Sequence, residues 1–180
     1  MLQNFNKEID FNKLKYFIVD VDGTLTDSGV IYDNHLNEFK RFSTRDFVGV
    51  LAAHYIGVRV IVITGRESAI TSHRLEEMKI DEVYQGIKNK SEFLSNYMKK
   101  NKIDAIHIGY VGDDLNDYAA MQKVGFKACP NDSCEDIKEI ADFTSSINGG
   151  YGVLQDVFRY ILNQLGIWNN FIEEIIIKGF

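Results

Sequence analysis

Five short apolar segments, several of them β-branched and nearly free of polar residues, constrain the fold of this chain most. Strands of a parallel sheet have this composition because both of their faces are covered. The predicted strands are Tyr16–Val19, Val58–Ile63, Glu82–Tyr84, Ile106–Val111 and Gly125–Cys129. Helix-like stretches lie between and after them, at residues 44–56, 66–79, 89–101, 114–123, 134–141 and 153–165. This alternation predicts an α/β fold with a doubly wound, mainly parallel sheet and right-handed crossovers.

One segment breaks the alternation. Residues 29–42, "GVIYDNHLNEFKRF", have extended arms around Asp33-Asn34 and predict a β-hairpin inserted after the first strand. The following "STRD" offers Ser43 as a helix N-cap with Asp46 three residues on, a variant of the capping box. We expect a single domain over residues 1–180, with an apolar C-terminal tail at 166–180 that forms an interface helix.

Charge and hydropathy restrict the classes of partner. The net charge of -6 argues against nucleic acid or an anionic membrane as a partner, because positive charge drives nonspecific binding to both. No apolar run approaches the roughly 18 residues of a membrane span, and the first 20 residues lack the apolar core of a signal peptide. The spacing of Cys129 and Cys134 suits neither redox nor zinc chemistry, so idle thiols in a cytoplasmic protein are expected.

Polar residues follow the predicted strands at the edge where a parallel sheet binds its ligands. Four groups meet there: Asp20, Asp22 and Gly23; Thr64, Gly65 and Arg66; Asp113, Asp114 and Asp117; and Lys90, which precedes the third helix. The sequence therefore predicts one site with several carboxylates, one hydroxyl and one lysine.

The carboxylates indicate a metal site. Residues two apart in a strand face the same side, so Asp20 and Asp22 begin on one face. With Asp113 and Asp114 added, the site needs a cation, and Mg²⁺ suits oxygen ligands that also meet phosphate. The alternative is that these acids are helix caps, which explains Asp113 or Asp114 singly, since "GDDLND" opens a helix.

The same residues can perform phosphoryl transfer. Asp20 can attack phosphorus as a nucleophile, while Asp22 protonates the leaving alkoxide and later deprotonates water. Gly23 permits a sharp turn that brings backbone N–H groups to the phosphate. Thr64 and the N–H groups after it can bind phosphoryl oxygens, and Lys90 offsets their charge. Lys90 taken alone is explained equally well as an exposed lysine at a helix start.

Four motifs, "DVDGTLTD", "TGR", Lys90 and "GDDLND", resemble in order those of the haloacid dehalogenase superfamily of phosphohydrolases. The resemblance covers about residues 14–165. It implies Asp20 as nucleophile and Asp22 as general acid and base. It also implies Mg²⁺ held by the Asp20 side chain, the Asp22 backbone carbonyl and Asp113, with support from Asp114 and Asp117.

Within the superfamily, the chain resembles a subgroup without a cap domain, the phosphatases of 3-deoxy-D-manno-octulosonate 8-phosphate. The hairpin, "VITGRES", "YQGIKNK", "YVGDDLND" and "GGYGVLQDV" carry this resemblance. It implies a phosphorylated sugar acid as substrate and a homotetramer in which hairpins associate and neighbouring subunits cover each site.

Arginines are the candidates for reading the sugar acid, because a guanidinium can grip a carboxylate with two hydrogen bonds. Arg66 and Arg74 are eight residues apart and are expected on one helix face, and Arg45 is a further candidate. Pairing with Glu67, Glu76 or Glu77 on a solvated helix face is the alternative for the first two. In the similar phosphatases of nine-carbon sugar acids, a glutamate stands in the position of Arg66, so the arginine favours the eight-carbon substrate.

Other functions remain open at this point. A phosphatase of a nine-carbon sugar acid, a broader sugar phosphatase and a catalytically idle family member are three of them. A receiver-type signalling domain also has a doubly wound sheet, Mg²⁺, acids, a threonine and a lysine. In that fold, however, the acid pair ends the first strand and the phosphorylated aspartate ends the third, whereas here the first strand ends in D-x-D-G.

Overall fold

The computed structural model describes residues 9–179, which form a central parallel sheet with helices on both faces. The strands are β1 (Tyr16–Val19), β2 (Ile31–Tyr32), β3 (Glu38–Phe39), β4 (Arg59–Ile63), β5 (Glu82–Tyr84), β6 (Ile108–Val111), β7 (Phe126–Cys129) and β8 (Phe143–Thr144). The α-helices are α1 (Arg45–Tyr55), α2 (Ala69–Glu77), α3 (Lys90–Asn101), α4 (Leu115–Met121), α5 (Glu135–Ile140), α6 (Val153–Gln164) and α7 (Trp168–Phe171). The predicted fold class is confirmed, and β8 is an edge strand that the sequence pattern did not reveal.

The sheet has the strand order β5-β4-β1-β6-β7-β8, with parallel pairing throughout. Its centre is β1, in which Phe17, Ile18 and Val19 are at most 1% exposed because helices cover both faces. The neighbours of β1 in the sheet are β4 on one side and β6 on the other, so the strand order reverses direction at β1. A crevice at the carboxyl ends of β1 and β6 is where such a sheet binds ligands.

The predicted hairpin is present as β2 and β3, paired antiparallel with Ile31 opposite Phe39. Asp33 shapes its turn, since Oδ1 accepts hydrogen bonds from the backbone N–H groups of His35 and Asn37, both at 2.8 Å. A bridge between Thr26 and Phe42 closes its base. No cap domain lies within residues 9–179, so the hairpin is the main addition to the sheet and its helices.

The start of α1 differs from its prediction. The N-cap residue is Thr44 and not Ser43. Ser43 still contributes a hydrogen bond next to the helix start, because its Oγ accepts from the N–H of Arg45 at 3.2 Å. Asp46 does not complete a capping box. Asp46 is buried, with 1% of its surface exposed. Its Oδ1 accepts a hydrogen bond from the N–H of Leu154 at 2.9 Å, which connects α1 to the start of α6. Tertiary packing therefore uses the acid that the local pattern assigned to a cap.

Asp46 makes stability depend on pH. Its Oδ2 has no hydrogen-bond partner among the described residues, and burial raises the pKa of Asp46 to about 7 from 3.8. Between these two pH values the folded state holds a proton that the unfolded state has lost, so stability falls as pH rises. We expect Asp46→Asn to gain stability relative to the parent protein across this window, by about 4 kcal/mol at most. Urea unfolding of both proteins at pH 5, 6, 7 and 8 measures the difference, and a constant difference would contradict this account.

The C-terminal tail packs on the domain's own core. Phe171 in α7 is fully buried and lies 5.6 Å from Tyr55 between ring centroids, and the Tyr55 hydroxyl donates to Glu174 at 3.1 Å. After α7 the chain continues as a π-helix over Ile172–Ile177. Phe171 thus belongs to the domain's own core, whereas Ile177 is 72% exposed, and the interface helix in the tail stays a prediction. Within the described residues, no helix is both long enough and apolar enough to cross a membrane.

Candidate active site

The loop after β1 brings the first motif to the crevice. Asp20 directly follows the strand and is 2% exposed. Gly23 has φ of 99°, and a Cβ placed on it would lie 1.9 Å from Asp113 Oδ2. Only glycine allows both this backbone conformation and this close approach. The sharp turn predicted from the sequence is present, and it lets the loop after β1 pack closely against Asp113, which follows β6.

Three carboxylates meet in this crevice. Oxygen atoms of Asp20, Asp113 and Asp117 all lie within 4.8 Å of one another. Asp117 is fully buried in the first turn of α4, where its Oδ1 accepts from the hydroxyl of Tyr110 at 2.6 Å and its Oδ2 accepts from the N–H of Asp113 at 3.3 Å. Thr24 Oγ1 donates to Asp113 Oδ1 at 3.2 Å. The acids are therefore held by hydrogen bonds and are not merely adjacent.

Lys90 inserts its ammonium group between two of the acids. Its Nζ lies 2.6 Å from Asp20 Oδ1 and 2.7 Å from Asp117 Oδ1, and its side chain is 1% exposed. The lysine is the first residue of α3, and the side chain of Asn89 caps that helix by accepting from the N–H of Glu92. Although burial opposes a charged ammonium, the two carboxylates raise the pKa of Lys90 above its usual value. The explanation of Lys90 as an exposed helix-start lysine is excluded.

One lysine does not balance three close acids, of which Asp20 and Asp117 are buried and Asp113 is half-buried. Burial raises the pKa of Asp20 to about 7 and the negative charge of Asp117 adds to this shift. Burial also raises the pKa of Asp113 to about 8, with further contributions from Asp20 and Asp117. Close, buried oxygen ligands with excess negative charge are the donor set that a hard divalent cation such as Mg²⁺ needs. The residues present therefore fit the metal predicted from the sequence.

Asp22 occupies a different environment from Asp20. Its carboxylate is 25% exposed, with Lys40 Nζ 2.5 Å from Oδ1 and Arg66 Nε 4.0 Å from Oδ2. It does not belong to the three-acid cluster found within residues 9–179. The two acids of the motif thus have separate partners, which suits the separate roles expected for them.

The phosphate-binding candidates after β4 also reach the crevice edge. Thr64 is 2% exposed at the carboxyl end of the strand, and its Oγ1 accepts from the N–H of Arg66 at 3.4 Å. The carbonyl of Gly65 accepts from Lys88 Nζ at 3.4 Å. Asp114, in contrast, is exposed and caps α4 by accepting from the N–H of Leu115 at 2.8 Å, which is the helix-cap explanation that the sequence left open.

The three arginines occupy different places. Arg66 precedes α2, so the expectation that it shares a helix face with Arg74 is wrong. Its Nη2 pairs with Glu38 Oε1 at 2.5 Å and donates to the hydroxyl of Tyr32 at 3.1 Å, which places it beneath the hairpin. Arg74 pairs with Glu77 at 3.1 Å, a pairing that the alternative named, but its side chain is only 20% exposed and its Nη2 donates to the carbonyl of Ser43 at 3.3 Å.

Arg45 lies at the start of α1 near the start of α6. A Cβ placed on Gly152 would lie 2.9 Å from the Cβ of Arg45. The arginine is exposed and forms no ion pair within residues 9–179. The structure therefore brings Arg66, but neither Arg45 nor Arg74, to the carboxylate of Asp22.

Several contributing residues were missed by the sequence analysis. Lys40, Glu38 and Tyr110 contact the predicted site residues from the hairpin and from β6. A lysine and a glutamate two apart in an exposed hairpin form no recognisable motif. Their alternation with Phe39, which puts both charges on one face, was the signal that could have identified them.

The glycine-rich segment at 148–152 lies against the same loop. A Cβ placed on Gly149 would lie 2.0 Å from the carbonyl oxygen of Gly23, and the N–H of Gly150 donates to the carbonyl of Thr24 at 3.0 Å. Tyr151 follows with its ring 3.8 Å from the guanidinium carbon of Arg41 in the hairpin. The segment therefore makes the expected turn and also supports the loop that carries Asp22.

Comparison with known proteins places these features in one family. A family profile described as haloacid dehalogenase-like hydrolase matches residues 79–156. The 3-deoxy-D-manno-octulosonate 8-phosphate phosphatase KdsC of Escherichia coli K12 is 34% identical over 149 residues, which span 83% of this chain and 79% of that protein.

Solved structures agree. The same kind of phosphatase from Moraxella catarrhalis, in complex with a magnesium ion, a phosphate ion and KDO, superposes with a TM-score of 0.85 at 33% identity, covering 91% of this chain and 94% of that one. The cobalt-bound enzyme from Haemophilus influenzae gives a TM-score of 0.81 at 28% identity, with 88% and 95% covered. These likenesses favour a phosphohydrolase over a receiver domain.

Proposed function

This chain belongs to the haloacid dehalogenase-like hydrolases, and on that premise we propose that it is a Mg²⁺-dependent phosphatase of 3-deoxy-D-manno-octulosonate 8-phosphate. It would release the free sugar acid and phosphate, in the formation of lipopolysaccharide precursors. Relatives of that specificity, one of them 34% identical over 83% of the chain, support the substrate.

The observation that carries the proposal is the close group of buried Asp20, Asp117 and Lys90 with half-buried Asp113, at the carboxyl ends of β1 and β6. Structural needs alone do not explain it, because burying several charges costs more than packing apolar residues of similar volume. A site that binds a cation and a dianionic phosphate does explain it.

Asp20 is the nucleophile in this proposal. One of its carboxylate oxygens forms a bond to phosphorus while the bond from phosphorus to the sugar oxygen breaks, and Asp22 gives its proton to the departing alkoxide. Lys90 lies at the nucleophile and offsets negative charge on the phosphoryl group. Thr64 and the N–H groups around Gly23 and Gly65 donate to the phosphoryl oxygens.

Hydrolysis of the aspartyl-phosphate completes the cycle. Asp22, now ionised, takes a proton from the attacking water, phosphate leaves, and the carboxylate of Asp20 is restored. Bound Mg²⁺ supplies positive charge beside the phosphoryl oxygens. Asp20, Asp113 and the backbone carbonyl of Asp22 would hold the ion, with Asp117 and Asp114 in support.

Specificity rests on Arg66 in this proposal. Its guanidinium lies beside Asp22 and is 42% exposed, so it has donors free to meet the carboxylate of a sugar acid. Arg45 and Arg74 lie further from the acids, and their part in substrate binding remains a prediction from the sequence.

We also propose a homotetramer built on the hairpin and a cytoplasmic location. The hairpin exposes a set of apolar side chains that a neighbouring subunit would cover: Val30, Ile31, Tyr32, Leu36 and Phe39. Exposed apolar side chains concentrated on one short hairpin are typical of a surface that binds another protein chain. The free thiols of Cys129 and Cys134 suit a reducing compartment.

A substrate panel tests the proposed activity. We expect kcat/KM with Mg²⁺ to be at least about tenfold higher for 3-deoxy-D-manno-octulosonate 8-phosphate than for nine-carbon sugar acid 9-phosphates or glucose 6-phosphate, because Arg66 selects the acid. EDTA should stop phosphate release, and added Mg²⁺ should restore it.

Two results would overturn the proposal. Equal kcat/KM across the panel would remove the specificity for the eight-carbon acid. Phosphate release unaffected by chelation would remove the metal from the reaction. A receiver domain would show neither pattern, since it does not turn over phosphate esters repeatedly.

A further inference from the structure

The hairpin directs charged side chains inwards and an apolar side chain outwards. Lys40, directly after β3, has a side chain that is 1% exposed, and that of Glu38 is 16% exposed. Phe39 between them is 52% exposed. Alternation along an extended segment puts residues 38 and 40 on one face. This pattern reverses the usual one for a surface strand, so the inward charges need an explanation.

The side chain of Lys40 is buried against the carboxylate of Asp22. Its Nζ lies 2.5 Å from Asp22 Oδ1, and Lys40 forms no other ion pair among the described residues. Removing an ammonium group from water is costly unless it is paired. The partner that offsets this cost is the proposed general acid and base, and not a residue remote from the chemistry.

The other oxygen of Asp22 also faces a cation that the hairpin holds. Arg66 Nε lies 4.0 Å from Asp22 Oδ2. Glu38 binds that guanidinium at 2.5 Å and also accepts from Ser68 Oγ at 2.7 Å. Both oxygens of Asp22 thus depend on charges fixed by the same face of the hairpin.

We propose that Lys40 is a positioning residue for Asp22, holding its carboxyl group in the orientation from which a proton reaches the leaving alkoxide. This inference rests on the proposed phosphatase activity. As the proton moves to the departing oxygen and the phosphorus–oxygen bond breaks, Asp22 becomes negatively charged. The ammonium of Lys40 lies beside Asp22 Oδ1 in the resting structure, so the carboxylate that forms as the alkoxide departs meets a partner that is already in place.

The alternative is that the ion pair only attaches the hairpin to the domain. A second ion pair makes the same kind of attachment without a contact to Asp22, since Arg41 Nε lies 3.0 Å from Asp27 Oδ2. Lys40→Met and Arg41→Met therefore form a matched pair of variants. Each removes one cation of the hairpin, but only the first leaves Asp22 without its partner.

The test compares two esters on the same preparation of each variant. The leaving group of 3-deoxy-D-manno-octulosonate 8-phosphate is a sugar alkoxide, which needs a proton from the enzyme. The leaving group of 4-nitrophenyl phosphate is 4-nitrophenolate, which departs without being protonated. The value of kcat/KM reports the steps up to release of the alcohol, so the later hydrolysis of the aspartyl-phosphate does not enter. We expect Lys40→Met to lower kcat/KM about 100-fold for the sugar ester and less than about threefold for the aryl ester. Lys40→Arg should retain most of both activities.

Partial unfolding does not obscure the outcome, because it lowers both rates by one factor and leaves their ratio unchanged. Equal losses on the two esters with Lys40→Met, or the same change of ratio with Arg41→Met, would overturn the positioning role. If the parent protein hydrolyses neither ester with Mg²⁺, the proposed function itself fails. If the parent protein is active but Lys40→Met has the same ratio of kcat/KM for the two esters, the positioning role is refuted while the proposed function stands.

Discussion

Replacing Asp20 by Asn is expected to abolish turnover, lowering kcat by about 10⁴-fold or more. The amide oxygen is a weak nucleophile, while its size and its ability to accept from Lys90 are those of the carboxylate. The fold should therefore persist. Because burial raises the pKa of Asp20 to about 7, the variant should also be more stable than the parent at pH 8 in EDTA. Phosphate release and thermal unfolding measure the two effects.

Asp22→Asn is the matched control for this prediction. It removes a carboxylate two residues away that lies outside the three-acid cluster. With 4-nitrophenyl phosphate it should still form phosphorylated protein, detectable by acid quench and intact mass, whereas Asp20→Asn should form none. Turnover by a preparation of Asp20→Asn whose mass excludes reversion to Asp would refute the assignment of the nucleophile.

Replacing Lys90 by Met is expected to damage both activity and stability. Three acids within 4.8 Å lose their buried cation, and breaking a buried ion pair in this way costs about 3–5 kcal/mol. The value of kcat should fall by about 10²–10³-fold, as when one donor to the developing charge is removed. Phosphate release and urea unfolding in EDTA test these values.

The stability loss in Lys90→Met should depend on pH in a defined direction. Asp20 and Asp113 have pKa values raised to about 7 and about 8, so the acids are protonated in the folded state at pH 5 and become charged as pH rises. The loss should therefore be larger at pH 8 than at pH 5, and Mg²⁺ should reduce it. Lys100→Met, at an exposed lysine of the same helix, is the control. A loss equal at both pH values would show that repulsion among the acids is not its cause.

The sheet and the main acids were predictable because their signals are local. Apolar runs such as Val60–Ile63 reflect burial on both faces, and residues after parallel strands meet at one edge whatever the rest of the chain does. That geometry was enough to predict from the sequence that Asp20, Lys90 and Asp113 lie in one site. The start of α1 was predicted less well, since the packing of α6 took over Asp46.

The surroundings of Asp22 could not be predicted, because they depend on contacts between segments that are distant in the sequence. Its partners Lys40 and Arg66 come from separate segments. The alternation around Phe39 puts Lys40 on one face of the hairpin, but neither segment indicates that Asp22 is the residue it meets. The helical spacing of Arg66 and Arg74 was misleading because α2 begins only at Ala69. Side chains at loops are placed by neighbours distant in sequence, and periodicity carries no information about those neighbours.

The contact of Gly149 with the carbonyl of Gly23 has a consequence for the order in which the protein is made. The loop bearing Asp20 and Asp22 leaves the ribosome early, but the segment that supports it is synthesised late, after every strand of the sheet. A nascent chain can therefore pair β1 with β4 and β6 while the reactive loop still lacks its support. The loop that carries Asp20 and Asp22 is therefore expected to reach its final packing only after residues 148–152 have been synthesised.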